Sequence, residues 1–87
     1  MPEIERPANF KKKLWKKPNE MQGKIAAAVK QLGDDPWYPS LQTSRLTSQG
    51  PDRWYARVDG GSRITFDWVG NVIKLRVHCN HDILKRP

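Results

Sequence analysis

The side chains best suited to chemistry stand at alternate positions in the second half of the chain: Tyr55 and Arg57, then Arg63, Thr65 and Asp67, then Lys74, Arg76 and His78. Residues two apart on an extended strand share a face, so three adjacent strands would gather this set on one surface. The surface so formed is rich in cations, carries a phenol ring, and has Asp67 as its only acid. Guanidinium groups make paired hydrogen bonds to phosphate, and an exposed tyrosine can stack on an unpaired base. A face kept for solubility alone would mix both signs of charge. The bias in sign points instead to a phosphate backbone with unstacked bases.

Both histidines fall in Val77-His78-Cys79-Asn80-His81-Asp82. Neighbouring strand residues point to opposite faces, so His78 and Cys79 would not converge on an ion. No other cysteine or histidine exists to complete four ligands, and no metal is expected. His81 falls where the last strand should end, and imidazole is the natural general acid or base near neutral pH. A lone histidine also serves as a structural group, and both readings stay open at this level. No serine stands in a nucleophile elbow and no glycine-rich loop is present to cradle phosphates, so neither a Ser-His-Asp hydrolase nor nucleotide hydrolysis is expected.

These residues need a scaffold, and 87 residues give room for a single domain, 1–87, with one small core. The single cysteine, Cys79, allows no internal disulfide, which suits a reducing, cytoplasmic home. The N-terminus, Met1-Pro2-Glu3-Ile4-Glu5, is polar and acidic and does not read as a signal peptide. No apolar run approaches the roughly 20 residues of a membrane span. The net charge of +7 favours a polyanionic or acidic partner. That charge is unevenly placed: Arg6 to Lys17 holds six basic residues and no acid.

Residues 1–8 read as an arm or edge strand. Asn9 is placed to cap a helix over Phe10–Lys17, with Phe10 and Leu14 on one face and Trp15 beside them, and Pro18 ends it. Asn19 and Gln22 suggest a capping box for a second helix. Its apolar stripe is Met21, Ile25, Ala28, Val29 and Leu32, and Gly33 suits its stop. Trp37, Tyr38, Leu41 and Leu46 would anchor the irregular stretch that follows. From Trp54 the period becomes two. Trp54, Ala56 and Val58, then Ile64, Phe66 and Trp68, then Ile73, Leu75, Val77 and Cys79 form the apolar series, with turns at Asp59-Gly60-Gly61 and Gly70-Asn71. The expectation is an α+β fold, two N-terminal helices on one face of a small twisted antiparallel sheet.

Taken in order, Phe10-x-x-x-Leu14, Leu32-Gly33-Asp34-Asp35-Pro36, Pro39-Ser40-Leu41, Trp54-Tyr55-Ala56-Arg57-Val58, Ser62-Arg63-Ile64-Thr65-Phe66 and Asn80-His81-Asp82-Ile83-Leu84 resemble the RelE/ParE toxin superfamily over about residues 8–84. The resemblance implies the toxin of a toxin–antitoxin pair, with a cognate antitoxin, the ribosome and mRNA as partners and no cofactor. RelE-like members cleave mRNA in the decoding site without a metal, by attack of the 2′-OH on its own 3′ phosphate. Carried over, the resemblance makes Arg63 the group that binds the scissile phosphate, His81 the general acid or base, and Arg57 a positioning arginine. Arg45, Arg76, Tyr55, Lys74 and His78 would bind RNA, and Lys11, Lys12, Lys13, Lys16 and Lys17 would grip ribosomal RNA by charge. Asn80 stands where many members have glycine, and Leu84 and Lys85 where many have a tyrosine, which removes one stacking or proton-donating group. A ParE-like gyrase poison on the same fold, and a non-catalytic RNA- or DNA-binding module, are the alternatives.

Overall fold

The computed structural model describes residues 2–46, 50 and 52–80, the last of these by its backbone alone. A short strand β1 (Glu3–Glu5) leads into helices α1 (Ala8–Trp15) and α2 (Asn19–Asp34). A 3-10 turn at Pro39–Leu41 then precedes strands β2 (Ser44–Arg45), β3 (Arg53–Asp59), β4 (Ser62–Val69) and β5 (Val72–Asn80). The expected α+β architecture is present, with the helices N-terminal.

Both helices start directly after a proline whose ring fixes φ near the helical value, Pro7 at −60° and Pro18 at −56°. Asn9 and Asn19 therefore lie inside the helices rather than capping them. Gln22 does not close a capping box either. Its Nε2 donates to the Lys17 carbonyl at 2.8 Å and, more weakly, to that of Trp15 at 3.5 Å. It thus satisfies carbonyls left open at the end of α1. In α2 the expected stripe is buried through Ile25, Ala28, Val29 and Leu32. The helix runs on through Gly33, where the lack of a side chain has a packing reason: a Cβ there would lie 3.3 Å from Ile4 Cγ1.

The strands form one sheet in the order β1-β5-β4-β3-β2. The meander of β3, β4 and β5 is antiparallel, and its second turn uses Gly70 at φ +59°, a conformation glycine adopts without steric cost. The N-terminal arm is an edge strand, and it runs parallel to β5 with Ile4 opposite Ile73, so the sheet is mixed. Phe66, Ile64, Ile73 and Leu75 line the helix-covered face and pack with Phe10, Ile25 and Leu32. Leu41 and Leu46 anchor the long connection as expected, whereas Trp37 is 60% exposed and Tyr38 45%. Trp37 instead leans on Trp54 and Trp68 at ring distances of 5.6 and 5.7 Å. Trp15 also faces outward.

One irregularity redistributes the last strand. Phe66 pairs with Leu75 but Thr65 pairs with Val77, which leaves Arg76 as an extra residue in β5. A one-residue bulge exchanges the two faces for everything beyond it. Val77 and Cys79, expected in the core, join Thr65 and Arg63 on the outer face. His78, expected outside, stands opposite Ile64 on the side covered by the helices.

Candidate nucleic-acid interface

The outer sheet face is built in rows across the strands. One row sets Ser44, Tyr55, Thr65 and Val77 side by side. The next sets Arg57 opposite Arg63, with Cys79 beyond. A third sets Arg53, Asp67 and Lys74 together, with Glu5 at the edge. Of the expected site residues the fold therefore gathers Tyr55, Arg57, Arg63, Lys74 and Arg76 on one surface.

Two arginines directly opposite each other repel, an arrangement that costs stability unless something offsets it. Arg63 is 7% exposed, and its Nη1 donates to the carbonyls of Asp59 and Ser62 at 2.8 and 2.9 Å. These bonds tie its guanidinium to the β3–β4 hairpin. Arg57 is half-buried and makes no hydrogen bond or ion pair among the described residues. Its Nη2 lies beside Gly60, where even a Cβ would come within 3.8 Å. No carboxylate pairs with either arginine among the described residues. Arg57 thus carries a half-buried guanidinium with no counter-ion among the described residues, beside a second cation, an arrangement suited to an external anion.

Asp67 is the acid among β3, β4 and β5 on this face, with Glu5 at the β1 edge, and it is already paired. Arg53 Nε donates to its Oδ1 at 2.6 Å, and Arg76 Nη1 lies 3.8 Å from its Oδ2. Arg53 was not anticipated from the sequence. It stands one residue before the first clear alternation, and Asp67, the partner that reveals its face, is fourteen residues away.

Asp59 serves the hairpin rather than the outer face. Its Oδ1 accepts from the Ser62 hydroxyl at 2.8 Å and the Gly61 amide at 3.0 Å, and Oδ2 pairs with Lys24 at 3.5 Å. The Ser62 hydrogen bond is the main reason its carboxyl is held below the ordinary aspartate value.

The remaining expected residues lie elsewhere. Arg45 sits on β2 opposite Trp54, its guanidinium 5.6 Å from the indole ring centre, off the outer face. His78 looks into a cavity of about 200 Å³ under α1, floored by Phe10, Leu14 and Ile25 and rimmed by Lys13, Lys16 and Lys17. Neither ring nitrogen has a hydrogen-bond partner among the described residues. Burial and then the nearby Lys17 charge hold the imidazole below its ordinary pKa. On the outer face, burial pushes the Cys79 thiol up, against the opposing influence of Arg63. Lys11 and Lys12 are exposed on α1. A groove of about 290 Å³ links the two basic regions, since Lys13 lines it together with Lys74 and Arg76. His81 lies outside the described residues.

No protein-family model and no curated protein matches this sequence. Solved structures do match. A YoeB/ParE toxin from Agrobacterium tumefaciens superposes with a TM-score of 0.71 at 13% identity, over 91% of this chain and 98% of that one. YafQ from E. coli strain BL21(DE3) gives 0.72 at 17% identity, over 97% and 98%. The fold is that of the RelE-like toxins. A chain of the YoeB–YefM complex from Staphylococcus aureus agrees, at 0.70 and 15% identity over 93% of this chain and 98% of that one. The RelE-like match spans both helices and the sheet, so it includes the elements that carry Arg57 and Arg63. Among the described residues no helix is long and apolar enough to cross a membrane.

Proposed function

We propose that this chain is the toxin of a toxin–antitoxin pair and acts as an endoribonuclease on translated mRNA, using the outer face of its sheet. The observation that carries the reading is the cross-strand Arg57–Arg63 pair, two cations without a carboxylate partner among the described residues. The shared fold with YoeB and YafQ toxins supports the same reading.

The reaction that fits is internal transesterification. The 2′-oxygen forms a bond to the adjacent phosphorus, the bond from phosphorus to the 5′-oxygen breaks, and the products are a 2′,3′-cyclic phosphate and a 5′-OH. Negative charge grows on the phosphoryl oxygens along the way. Arg57 would meet that charge directly, and Arg63, fixed by two carbonyls, would add its field and hold Arg57 in register. Tyr55, in the adjacent row, would stack on a neighbouring base. One proton must leave the 2′-OH and one must reach the 5′-oxygen. We assign that transfer to His81. Lys74 and Arg76 would follow the backbone of the bound strand. The partners are then the ribosome with its mRNA, and a cognate antitoxin that covers these cations. The site of action would be the cytoplasm.

The test is to induce the wild type, Arg57→Ala and His81→Ala in bacteria and map 5′-OH ends in translated messages. New ends in the wild type, lost in both variants with folded protein present, are expected. Unchanged cleavage by Arg57→Ala would remove the arginine from the mechanism.

A further inference from the structure

Arg57 also borders a groove of about 310 Å³ between α2, the Pro39–Leu41 turn and β3. Arg57 and Val58 are consecutive strand residues, so their side chains leave opposite faces of the sheet. A hollow that both of them line lies at the strand edge, where the two faces meet. That edge is open. β2 pairs with β3 only at Trp54 and Tyr55, and the Leu46 amide adds one bond to the Arg53 carbonyl at 2.9 Å. From Ala56 to Asp59 no described strand lies beside β3 on this side.

The walls of the groove are held from within the chain. The Thr43 hydroxyl donates to the Pro36 carbonyl at 2.5 Å and the Leu41 amide to that of Tyr38 at 3.0 Å, which fixes the turn. Lys24 reaches from α2 to Asp59 at 3.5 Å and ties the helix to the β3–β4 hairpin. Ala28, Leu41 and Val58 give the groove an apolar lining, with Ala27 exposed beside them. Alanine methyls leave room for a flat ring to lie against the helix. The groove also holds the Gln31 amide and the Ser40 hydroxyl, whose side chains make no hydrogen bond among the described residues. Among the described residues no carboxylate lines it, and its charged groups, Lys24 and Arg57, are both positive.

We propose that this groove is a nucleotide subsite: the base next to the phosphate held at Arg57 turns over the β3 edge, lies on Ala28, Leu41 and Val58, and is read by Gln31. The subsite rests on the reading of the Arg57 face as an RNA site, and it names the residue that selects sequence there. An amide offers a donor beside an acceptor, as a base edge does, and a paired contact of this kind discriminates between bases. Unpaired bases of single-stranded RNA present that edge. Sites for small ligands begin at roughly 300 Å³, so the groove takes one nucleotide and no more. Lys24 supplies a charge for the following phosphate. An acidic peptide would also meet the two cations, but it would leave the flat apolar lining beside an amide unused.

The test uses the full chain and fluorescein-labelled 2′-O-methyl hexanucleotides of A, C or U, which the 2′-oxygen cannot cleave, followed by anisotropy. The wild type should prefer one of them by about tenfold, and Gln31→Leu should reduce that preference to about threefold or less. Ala27→Phe, at an exposed position, fills the groove and should weaken the preferred oligomer about tenfold. In the wild type the NMR signals of the Gln31 side-chain amide should shift on adding that oligomer, a readout that needs no variant. An unmoved amide, or an unchanged preference in Gln31→Leu while Arg57→Ala loses affinity for every oligomer, would overturn the subsite and leave the arginine in place. A polyglutamate peptide whose binding is abolished by Ala27→Phe, with oligonucleotide affinity untouched, would overturn the choice of RNA as the occupant. None of these readouts involves cleavage, so messages left intact by the wild type would count against the ribonuclease reading alone.

Discussion

Arg57 and Arg63 face each other across β3 and β4 but are held differently, and the difference sets their separate consequences. Arg63→Ala removes the donor for two carbonyls, so it should cost roughly 1–3 kcal/mol of stability as well as activity. Arg57→Ala breaks no internal bond among the described residues, so urea unfolding should be nearly unchanged while RNA binding falls about ten- to a hundredfold. Equal destabilisation by the two variants would contradict the assignment. His78 supplies a second test at this scale. Its folded pKa is lowered, first by burial and then by Lys17, so the unfolded state takes up the proton more readily. The stability that goes with the neutral ring is therefore complete above the unfolded value of about 6.5 and is lost as pH falls below it. Urea midpoints should drop between pH 7.5 and 5.5 in the wild type, and this part of the drop should vanish in His78→Leu. A variant with the same acid limb as the wild type would show that another group controls it. Residue types were legible in the sequence here, but hydrogen-bond partners were not. Nothing in the order of residues says that Arg63 turns back onto its own hairpin.

At the scale of elements, the buried faces are legible where periodicity is long and are not where a single residue breaks it. The stripe of α2 and the alternation of β3, β4 and β5 as far as Leu75 are regular enough to fix which face is buried. The extra residue at Arg76 carries no glycine or proline to announce it, and it sends Val77, His78 and Cys79 to the faces opposite to those expected. The helix starts were missed for a related reason. Asparagines looked like caps, yet Pro7 and Pro18 preset the backbone one or two residues earlier. The parallel pairing of β1 is long-range and has no local signature. Deletion of Arg76 tests the bulge. With the extra residue gone, Val77 follows Leu75 in regular alternation and still pairs with Thr65, so His78 should stay opposite Ile64 in the cavity under α1. Its imidazole pKa, followed by NMR, should remain below the ordinary value of about 6.5. A pKa that rises to the ordinary value after the deletion would mean that Arg76 is not the extra residue of the ladder.

Across the whole molecule, charge and fold point the same way. The outer face holds Arg53, Arg57, Arg63, Lys74 and Arg76 against Asp67 and the edge residue Glu5, and the groove at Lys13 continues the run of basic residues round the β5 edge to α1. If about four phosphates of a single strand are engaged, the logarithm of the binding constant should fall with the logarithm of salt with a slope of roughly −3. A slope near zero would remove the phosphate backbone as the ligand. The net charge of +7 makes a polyanionic partner the expectation from composition alone. The placing of that charge was half legible, because strand alternation assembles Arg57 and Arg63 while the groove that joins Lys74 and Arg76 to Lys13 of α1 depends on how the helix crosses β5. Whether this basic face cuts messages can be read in a cell-free translation reaction supplied with the purified protein. A translated message should acquire internal 5′-OH and 2′,3′-cyclic phosphate ends, and Arg57→Ala should abolish them. Growth arrest in cells while messages stay intact in that reaction would contradict it and turn attention to gyrase.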